Sequence, residues 1–325
     1  MSYDVYQYGD QKQGKVFLNY EDYICRISDT QKWNVPDKII VSAAVTGSFF
    51  DRNENPNQPY TVEEIYRECE ECVEAGASSI HVQVRKEDTG FPCGDIDLYR
   101  RIIEPLKAKY GSKVIIDGCA QLGPTTADMM SPVTEGLFEV SPVNTTAVHV
   151  AGTVLASSRQ VCQAQAKIFQ DCGCKVQIAV HDSGHIDNAK RWLIDTGIVQ
   201  KPYYFIILPS LSGSLMMPNP LAMFEGLAFM LHRIREIDPD CVVMVCAAGR
   251  ASGYIIGAAT LLGIHVRVGM EDTIFMLPHR DDRIVHNADV VRMARDIARP
   301  LGRELATADE YREIVGIKKR EGVKV

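Results

Sequence analysis

A histidine and a glutamine stand two residues apart in the stretch "SSIHVQVRKEDTG" at positions 78–90. The apolar residues around them predict a strand, whose two-residue periodicity places His81 and Gln83 on the same face. This spacing suits two ligands of one metal ion, although glutamine seldom binds metals. The stretch is therefore a metal site that lacks a ligand, a metal site altered for another purpose, or a strand that binds no metal.

A second polar pair lies in "HVRVGMED" at positions 265–272, where the same periodicity puts Arg267 and Glu271 on one face. If this strand ends near the strand of His81, the imidazole, the Glu271 carboxylate and the amide oxygen of Gln83 could share one metal ion. Structural roles fit these residues equally well, since a lone strand histidine is often hydrogen-bonded and Arg267 could form an ordinary ion pair. Spacing alone does not decide between them.

The elements that must position these residues are eight short β-rich runs separated by amphipathic helical patterns. One helical pattern opens with Thr61 and Glu64, a capping-box signal. Eight alternating units favour a (β/α)8 TIM barrel over an open doubly wound sheet, because no glycine-rich phosphate turn follows the first run. A long helix at about 285–299 and a helical tail containing "ATADEYREIV" are expected after the last run. The runs span 39–47, 79–84, 113–119, 137–143, 175–182, 203–209, 241–249 and 265–272.

Residues 1–37 do not fit this alternation and are predicted to form an N-terminal extension, while residues 38–325 form the TIM-barrel catalytic domain. Five tyrosines among the first 23 residues suggest that the extension packs against something, such as another subunit.

The composition excludes several classes of protein. A net charge of −7 without blocks of like charge argues against nucleic-acid binding. The longest apolar runs are too short to span a bilayer, and we expect no secretory signal because no basic segment precedes an apolar one. We therefore expect a cytoplasmic protein whose ten cysteines are reduced thiols.

In a barrel of this kind, chemistry gathers at the C-terminal ends of the strands. The polar residues predicted at those ends are thus the candidates for the site. They are Thr46, Gly47, Ser48, His81, Gln83, Arg85, Asp117, Cys119, Glu139, Ser141, His181, Asp182, Ser183, Arg250, Arg267, Glu271 and Asp272.

Five segments, in this order, resemble the β-keto acid cleavage enzymes, whose best-known member type is the 3-keto-5-aminohexanoate cleavage enzyme. The resemblance runs from about residue 39 to 317. It implies a TIM barrel, usually a homotetramer, with one divalent metal that is generally zinc. It also implies a reaction of a β-keto acid with acetyl-CoA that gives acetoacetate and a new acyl-CoA. The segments are "AAVTGS", "EAGASSIHVQVR", "SGSLMMPNPLAM", "GIHVRVGMEDTIF" and "GRELATADEYREIVGI".

The resemblance assigns roles to individual residues. His81 and Glu271 match two metal ligands of the family, and Gln83 stands where its second ligand histidine belongs. Arg267 and Asp272 match the pair that deprotonates and orients the substrate, with Asp272 as the base. Water, or His181 if its strand leans inward, could complete a metal shell weakened by Gln83, and a metal-free site stays open.

Other residues differ from the family pattern. Phe49 replaces the glutamate that binds the amine in the member type, so we expect a substrate without a terminal amine. Cys119 replaces a substrate-binding serine, Ser141 corresponds to a threonine, and Ala179 replaces a glutamate that transfers protons. With Thr46 and His181, the residues Phe49, Cys119 and Ser141 form the expected substrate-binding set.

The sequence therefore predicts a metal-dependent enzyme that exchanges acyl groups between a β-keto acid and acetyl-CoA. Two alternatives remain open at this point. One is a carbon–carbon lyase or hydrolase that does not use CoA, and the other is a non-catalytic paralogue with a weakened metal site.

Overall fold

The fold was analysed in a computed structural model, which describes residues 30–150, 153–155, 157–211 and 214–317. Most of the predicted N-terminal extension lies outside the described residues, so residues 1–37 and their expected interface remain a prediction. The barrel and the packing around it lie within Pro36–Val325.

Eight parallel strands close into a barrel, in which each strand is hydrogen-bonded to the next along the chain and the last strand to the first. Each of the eight predicted runs overlaps one of these strands, which confirms the predicted (β/α)8 TIM barrel. The observed strands are shorter than the runs because the last residues of most runs turn into the loops, whereas the fourth run has its first three residues outside the strand. They are β1 Val41–Ala44, β2 Ser79–His81, β3 Ile115–Asp117, β4 Val140–Asn144, β5 Lys175–Val180, β6 Tyr204–Ile207, β7 Val242–Val245 and β8 His265–Val268.

Helices cover the outside of the barrel. The predicted capping box is present at the start of the first helix, where Thr61 and Glu64 bind each other's backbone NH groups. None of the helices in the described part of the chain is long and apolar enough to cross a membrane. The α-helices are α1 Val62–Ala75, α2 Ile96–Tyr110, α3 Thr126–Thr134, α4 Arg159–Asp171, α5 Ser183–Ala189, α6 Pro220–Arg235, α7 Ser252–Leu261, α8 Asn287–Ala298 and α9 Ala308–Val315.

Helix α9, the predicted helical tail, closes the N-terminal end of the barrel. Tyr311 packs with the interior residues of the barrel, and its hydroxyl lies 2.8 Å from that of Tyr204. Beside it, Arg312 binds Glu139, which immediately precedes β4. The prediction that Glu139 lies at the C-terminal end of its strand is therefore wrong, because the strand begins at Val140, three residues after the start of the predicted run. Only the opposite end of the barrel is left for substrate entry.

Buried Asn287, the first residue of α8, ties together the loops that follow β1 and β8. Its Oδ1 accepts a hydrogen bond from Met270 N at 2.7 Å, and its Nδ2 donates to the Val45 carbonyl at 3.1 Å and to Glu68 at 2.8 Å. Because these loops carry much of the candidate site, the Asn287 side chain fixes the positions of two walls of the site relative to each other.

Replacing Asn287 with alanine is expected to lower the free energy of unfolding by about 2–4 kcal/mol, because the buried Met270 NH and Val45 carbonyl lose their partner. Urea unfolding followed by circular dichroism measures this loss. The matched control is Asn53→Ala at an exposed loop position, expected to change stability by less than about 0.5 kcal/mol. Equal small effects of both substitutions would contradict this role of Asn287.

Candidate active site

The site lies at the C-terminal mouth of the barrel, where β2 ends in His81. The His81 ring is 1% exposed, and its Nδ1 forms a short hydrogen bond with Asp117 at the end of β3. Ser42 on β1 donates to the other Asp117 oxygen at 3.0 Å. With Nδ1 bound to Asp117, the imidazole directs Nε2 towards the mouth, which is how ligand histidines are commonly oriented.

Three groups surround Nε2 of His81. Glu271 Oε2 lies 3.3 Å away, Arg267 Nη1 3.4 Å away and the sulfur of Cys119 3.7 Å away. His81 and Glu271, predicted from the sequence to meet across the mouth, are therefore brought together. One donor atom each from His81, Cys119 and Glu271 lies within 4.8 Å of the other two.

The Gln83 side chain braces Glu271. Its Nε2 donates to Glu271 Oε1 at 3.1 Å, and its Oε1 accepts from the Ser48 hydroxyl at 3.1 Å. The amide oxygen, expected from the sequence to serve as a metal ligand, is thus bound to Ser48. This orientation is favoured because turning the amide would set its oxygen against the Glu271 carboxylate.

Arg267 and Asp272 form a buried bidentate ion pair. Arg267 Nε lies 3.1 Å from Asp272 Oδ2, and Nη2 lies 2.5 Å from Oδ1. Arg267 also reaches Glu271 Oε1 at 3.2 Å and lines the pocket. Both Asp272 oxygens are occupied, and Asp272 is not among the lining residues. In this arrangement Asp272 orients Arg267, and its expected role as the base remains a prediction.

This cluster fits a divalent cation. Asp117, Glu271 and Asp272 supply three buried carboxylates against one guanidinium, so a neutral His81 leaves an excess of negative charge. Oε2 of Glu271 is buried without a hydrogen-bond partner among the described residues. Burial would lower the pKa of His81, but the nearby Glu271 carboxylate raises that pKa well above its ordinary value. Burial in turn raises the pKa of Glu271. The raised pKa values of His81 and Glu271 both indicate that the site carries an excess of negative charge.

Gly47 makes room for the Glu271 side chain. A Cβ atom at position 47 would lie 2.2 Å from Cγ of Glu271. Thr46 beside it accepts a hydrogen bond from Arg85 Nε at 2.9 Å, and Arg85 also binds carbonyl groups of the same loop. Thr46, expected to bind substrate, is fully buried and helps to fix the loop that presents Ser48 and Phe49.

The pocket itself encloses about 720 Å³, including the part open to solvent. Of the residues expected to bind substrate, Phe49, Cys119 and His181 line it. Ser141 does not, because it points away from the barrel interior and its hydroxyl donates to the Gly118 carbonyl at 2.7 Å. The full lining is Ser48, Phe49, Gln83, Cys119, Gln121, Leu122, Pro142, Asn144, Val148, Leu155, Gln177, Ala179, His181, Ile206, Leu208, Leu211, Arg267 and Glu271.

Both ring nitrogens of His181 are engaged on the pocket wall. Nδ1 lies 3.1 Å from the Leu208 carbonyl, and Nε2 lies 3.2 Å from Asn144 Oδ1. The open alternative of His181 as a metal ligand therefore has no support from these contacts. Burial lowers the pKa of His181 to about 4, so the ring is neutral at pH 7.

Sequence reasoning gave no role to several residues that build this site. Asp117 stood among the polar strand ends, but no pattern showed that it would bind His81. Pro142, Asn144 and Gln177 line the pocket from β4 and β5. The two-residue periodicity of those strands, counted from a known inward residue, could have identified them.

Gly47→Ala is expected to destabilise the protein by about 1–3 kcal/mol, because the new methyl group collides with Glu271. Gly257→Ala in α7 is the matched control, since a Cβ there has nothing within 4 Å and alanine favours a helix by up to about 1 kcal/mol. The free energy of unfolding measured with urea should thus fall for Gly47→Ala and rise for Gly257→Ala. Stabilisation by both substitutions would contradict the close packing of Gly47 on Glu271.

The depressed pKa of His181 predicts a specific loss of stability in acid. The unfolded chain takes up a proton near the ordinary pKa of about 6.5, whereas the folded chain resists protonation down to about 4. The contribution of His181 is therefore complete above pH 6.5 and is lost as pH falls to 4, by about 3 kcal/mol. Between pH 6.5 and pH 4, the free energy of unfolding measured with urea should fall by about 3 kcal/mol more for the wild type than for His181→Gln. Parallel pH profiles would contradict the prediction.

Comparison with known proteins identifies the family. The model of the beta-keto acid cleavage enzymes matches residues 38–317. The 3-keto-5-aminohexanoate cleavage enzyme of Fusobacterium nucleatum subsp. nucleatum is 33% identical over 287 residues, which are 87% of this chain and 99% of that protein. The 3-oxoadipate:acetyl-CoA acetyltransferase of Cupriavidus necator is 23% identical over 286 residues, 87% of this chain and 96% of the relative.

A solved structure, the binary complex of ObcA with oxaloacetate, shares the fold with a TM-score of 0.70 at 17% identity, covering 81% of this chain and 68% of that one. The matched family model spans nearly the whole barrel and includes every residue of the candidate site. The resemblance noted in the sequence is thereby confirmed, and the chain belongs to the β-keto acid cleavage enzyme family, whose members are enzymes.

Proposed function

We propose that this enzyme exchanges parts between acetyl-CoA and a β-keto acid with a neutral, largely apolar tail, giving acetoacetate and the acyl-CoA of that tail. One observation carries the proposal. A single pocket reaches the charged cluster of His81, Glu271 and Arg267 through its lining residues Glu271 and Arg267, and the other described lining residues carry no charge.

The remaining wall of the pocket supports a neutral tail. Its apolar side chains include Phe49, Leu122, Val148, Leu155 and Leu211, and its polar ones are the uncharged Gln121, Asn144 and Gln177. His181 is neutral there because of its lowered pKa. An ammonium or a second carboxylate on the tail would be buried without a counter-charge, at a cost of several kcal/mol.

The charged cluster suits the reacting end of the substrate. Arg267 can bind the substrate carboxylate by donating two hydrogen bonds to it. A divalent metal held by His81 and Glu271 would supply a Lewis acid for the keto and carboxylate oxygens. When the substrate carboxylate binds Arg267, one oxygen of Asp272 is released from the ion pair and becomes available as a proton acceptor.

The proposed reaction has two exchanges of bonds. Asp272 takes a proton from C2 of the β-keto acid, and the C2 electron pair attacks the acetyl carbonyl of acetyl-CoA as the thioester bond breaks. The released CoA thiolate then attacks the original keto carbon. The bond between this carbon and C2 breaks, acyl-CoA forms, and C2 regains a proton as acetoacetate leaves.

The remaining features follow from the family resemblance and belong to this proposal. Zinc is the proposed metal, because imidazole and carboxylate are common zinc donors. The proposed assembly is a homotetramer and the proposed location is the cytoplasm. Acetyl-CoA is the proposed co-substrate, in keeping with the acetyl-CoA named for the Cupriavidus necator relative.

A panel of three β-keto acids tests the neutral-tail proposal. Purified enzyme with acetyl-CoA is expected to use 3-oxohexanoate with a kcat/KM at least ~100-fold above those for cationic 3-keto-5-aminohexanoate and anionic 3-oxoadipate, as several kcal/mol of uncompensated charge requires. Chromatography and mass spectrometry of the acyl-CoA products give the rates.

Phe49→Glu should reduce the ratio of kcat/KM for 3-oxohexanoate to kcat/KM for 3-keto-5-aminohexanoate by at least ~10-fold. The new carboxylate supplies a charge partner for the ammonium group of the cationic substrate. The control Phe91→Glu changes an exposed phenylalanine that is not a lining residue, and it should leave this ratio unchanged. A wild-type enzyme that prefers either charged substrate would overturn the neutral-tail proposal.

A further inference from the structure

We infer that the thiolate of Cys119 is the third protein ligand of the metal, together with Nε2 of His81 and the carboxylate of Glu271. The resemblance placed a substrate-binding residue at position 119 and a metal ligand at position 83. The contacts of these two side chains instead support Cys119 as the metal ligand and Gln83 as a residue that positions Glu271. The inference builds on the metal of the proposed function and names how this chain holds it.

The first argument is the position of the sulfur. Cys119 lies two residues after the end of β3, so its side chain reaches the barrel mouth beside the end of β2. Its sulfur lies 3.7 Å from His81 Nε2, and it belongs to the group of donor atoms that are all within 4.8 Å of one another. Ligand atoms of one tetrahedral zinc ion are separated by about 3–4 Å, as metal–ligand distances of about 2.0–2.3 Å require.

The second argument is the buried oxygen of Glu271. Oε1 accepts from Gln83 and contacts Arg267, whereas Oε2 is buried, has no hydrogen-bond partner among the described residues and faces His81 Nε2 at 3.3 Å. An unpaired carboxylate oxygen in such a position is costly unless a cation binds it. His81 and Glu271 thus offer two donor atoms that face the same space as the sulfur.

The third argument is the orientation of Gln83. Its amide nitrogen faces Glu271 and its oxygen accepts the Ser48 hydroxyl. To bind a metal through oxygen, Gln83 would give up both contacts and turn its oxygen towards a carboxylate. It therefore acts as a positioning residue for the ligand Glu271, and a thiolate is in any case a stronger zinc donor than an amide.

The donor set of one nitrogen, one sulfur and one carboxylate oxygen favours zinc or cobalt over magnesium, which prefers oxygen ligands. A fourth position remains for substrate or water. A metal bound at this site would stabilise the thiolate of Cys119, and the thiol proton would pass to solvent water as the thiolate forms.

Cobalt binding tests the assignment without any turnover. Chelator-treated protein is titrated with Co²⁺, and a thiolate ligand gives an intense near-ultraviolet charge-transfer band that nitrogen and oxygen ligands lack. The wild type and Gln83→Ala should show the band at one equivalent of Co²⁺. Cys119→Ser should lack it and bind Zn²⁺ at least ~10-fold more weakly in competition with a chromophoric chelator.

Two further variants sharpen the result. Cys93→Ser, a partly buried cysteine outside the donor group, should keep both the band and the affinity. Gln83→His added to Cys119→Ser should restore Zn²⁺ affinity without restoring the band, because the histidine supplies the lost ligand. Circular dichroism confirms that each variant is folded, and Cys119→Ala replaces the serine variant if that one is not.

A wild-type protein that binds Co²⁺ without the band, one that binds no Co²⁺, or a Cys119→Ser variant with unchanged affinity would overturn the assignment. Acyl transfer can fail while the band is present, and the band can be absent while transfer proceeds. The measurement therefore separates a failure of this inference from a failure of the proposed reaction.

Discussion

The hydrogen bond between His81 and Asp117 is the interaction on which the site depends. It holds the ring with Nδ1 towards Asp117 and with Nε2 directed at the barrel mouth. Asp117 on β3 is itself held by Ser42 on β1, on the other side of β2, so three adjacent strands set the direction of one imidazole. Glu271, Arg267 and Cys119 are arranged around Nε2 of this ring.

The rest of the barrel makes this arrangement rigid and accessible from one side. Helix α9 seals the N-terminal end through the contact of Tyr311 with Tyr204. At the other end, Asn287 joins the loops after β1 and β8, and Gly47 leaves the space that Glu271 occupies. When the reacting end of a substrate binds at the cluster of His81, Glu271 and Arg267, its tail contacts the uncharged wall of the pocket.

The sequence predicted the barrel and the meeting of His81 with Glu271, because strand periodicity and strand order determine which positions reach the mouth. It did not predict the contacts of Ser141 or Gln83. Ser141 faces away from the pocket because Pro142 and Asn144 occupy the inward positions of β4, and a shift of one residue reverses the face. Gln83 follows the end of β2, and the orientation of its amide depends on Ser48 and Glu271, which lie far away in the chain.

Isotope tracing tests the central claim, acyl exchange with acetyl-CoA, most directly. The enzyme is supplied with unlabelled 3-oxohexanoate and with acetyl-CoA that carries ¹³C at the acetyl carbonyl carbon, and the products are analysed by NMR and mass spectrometry. The proposed exchange of bonds places the label at the keto carbon of acetoacetate and leaves butyryl-CoA unlabelled. Release of free butyrate and acetate without labelled acetoacetate would contradict it and indicate a carbon–carbon hydrolase instead.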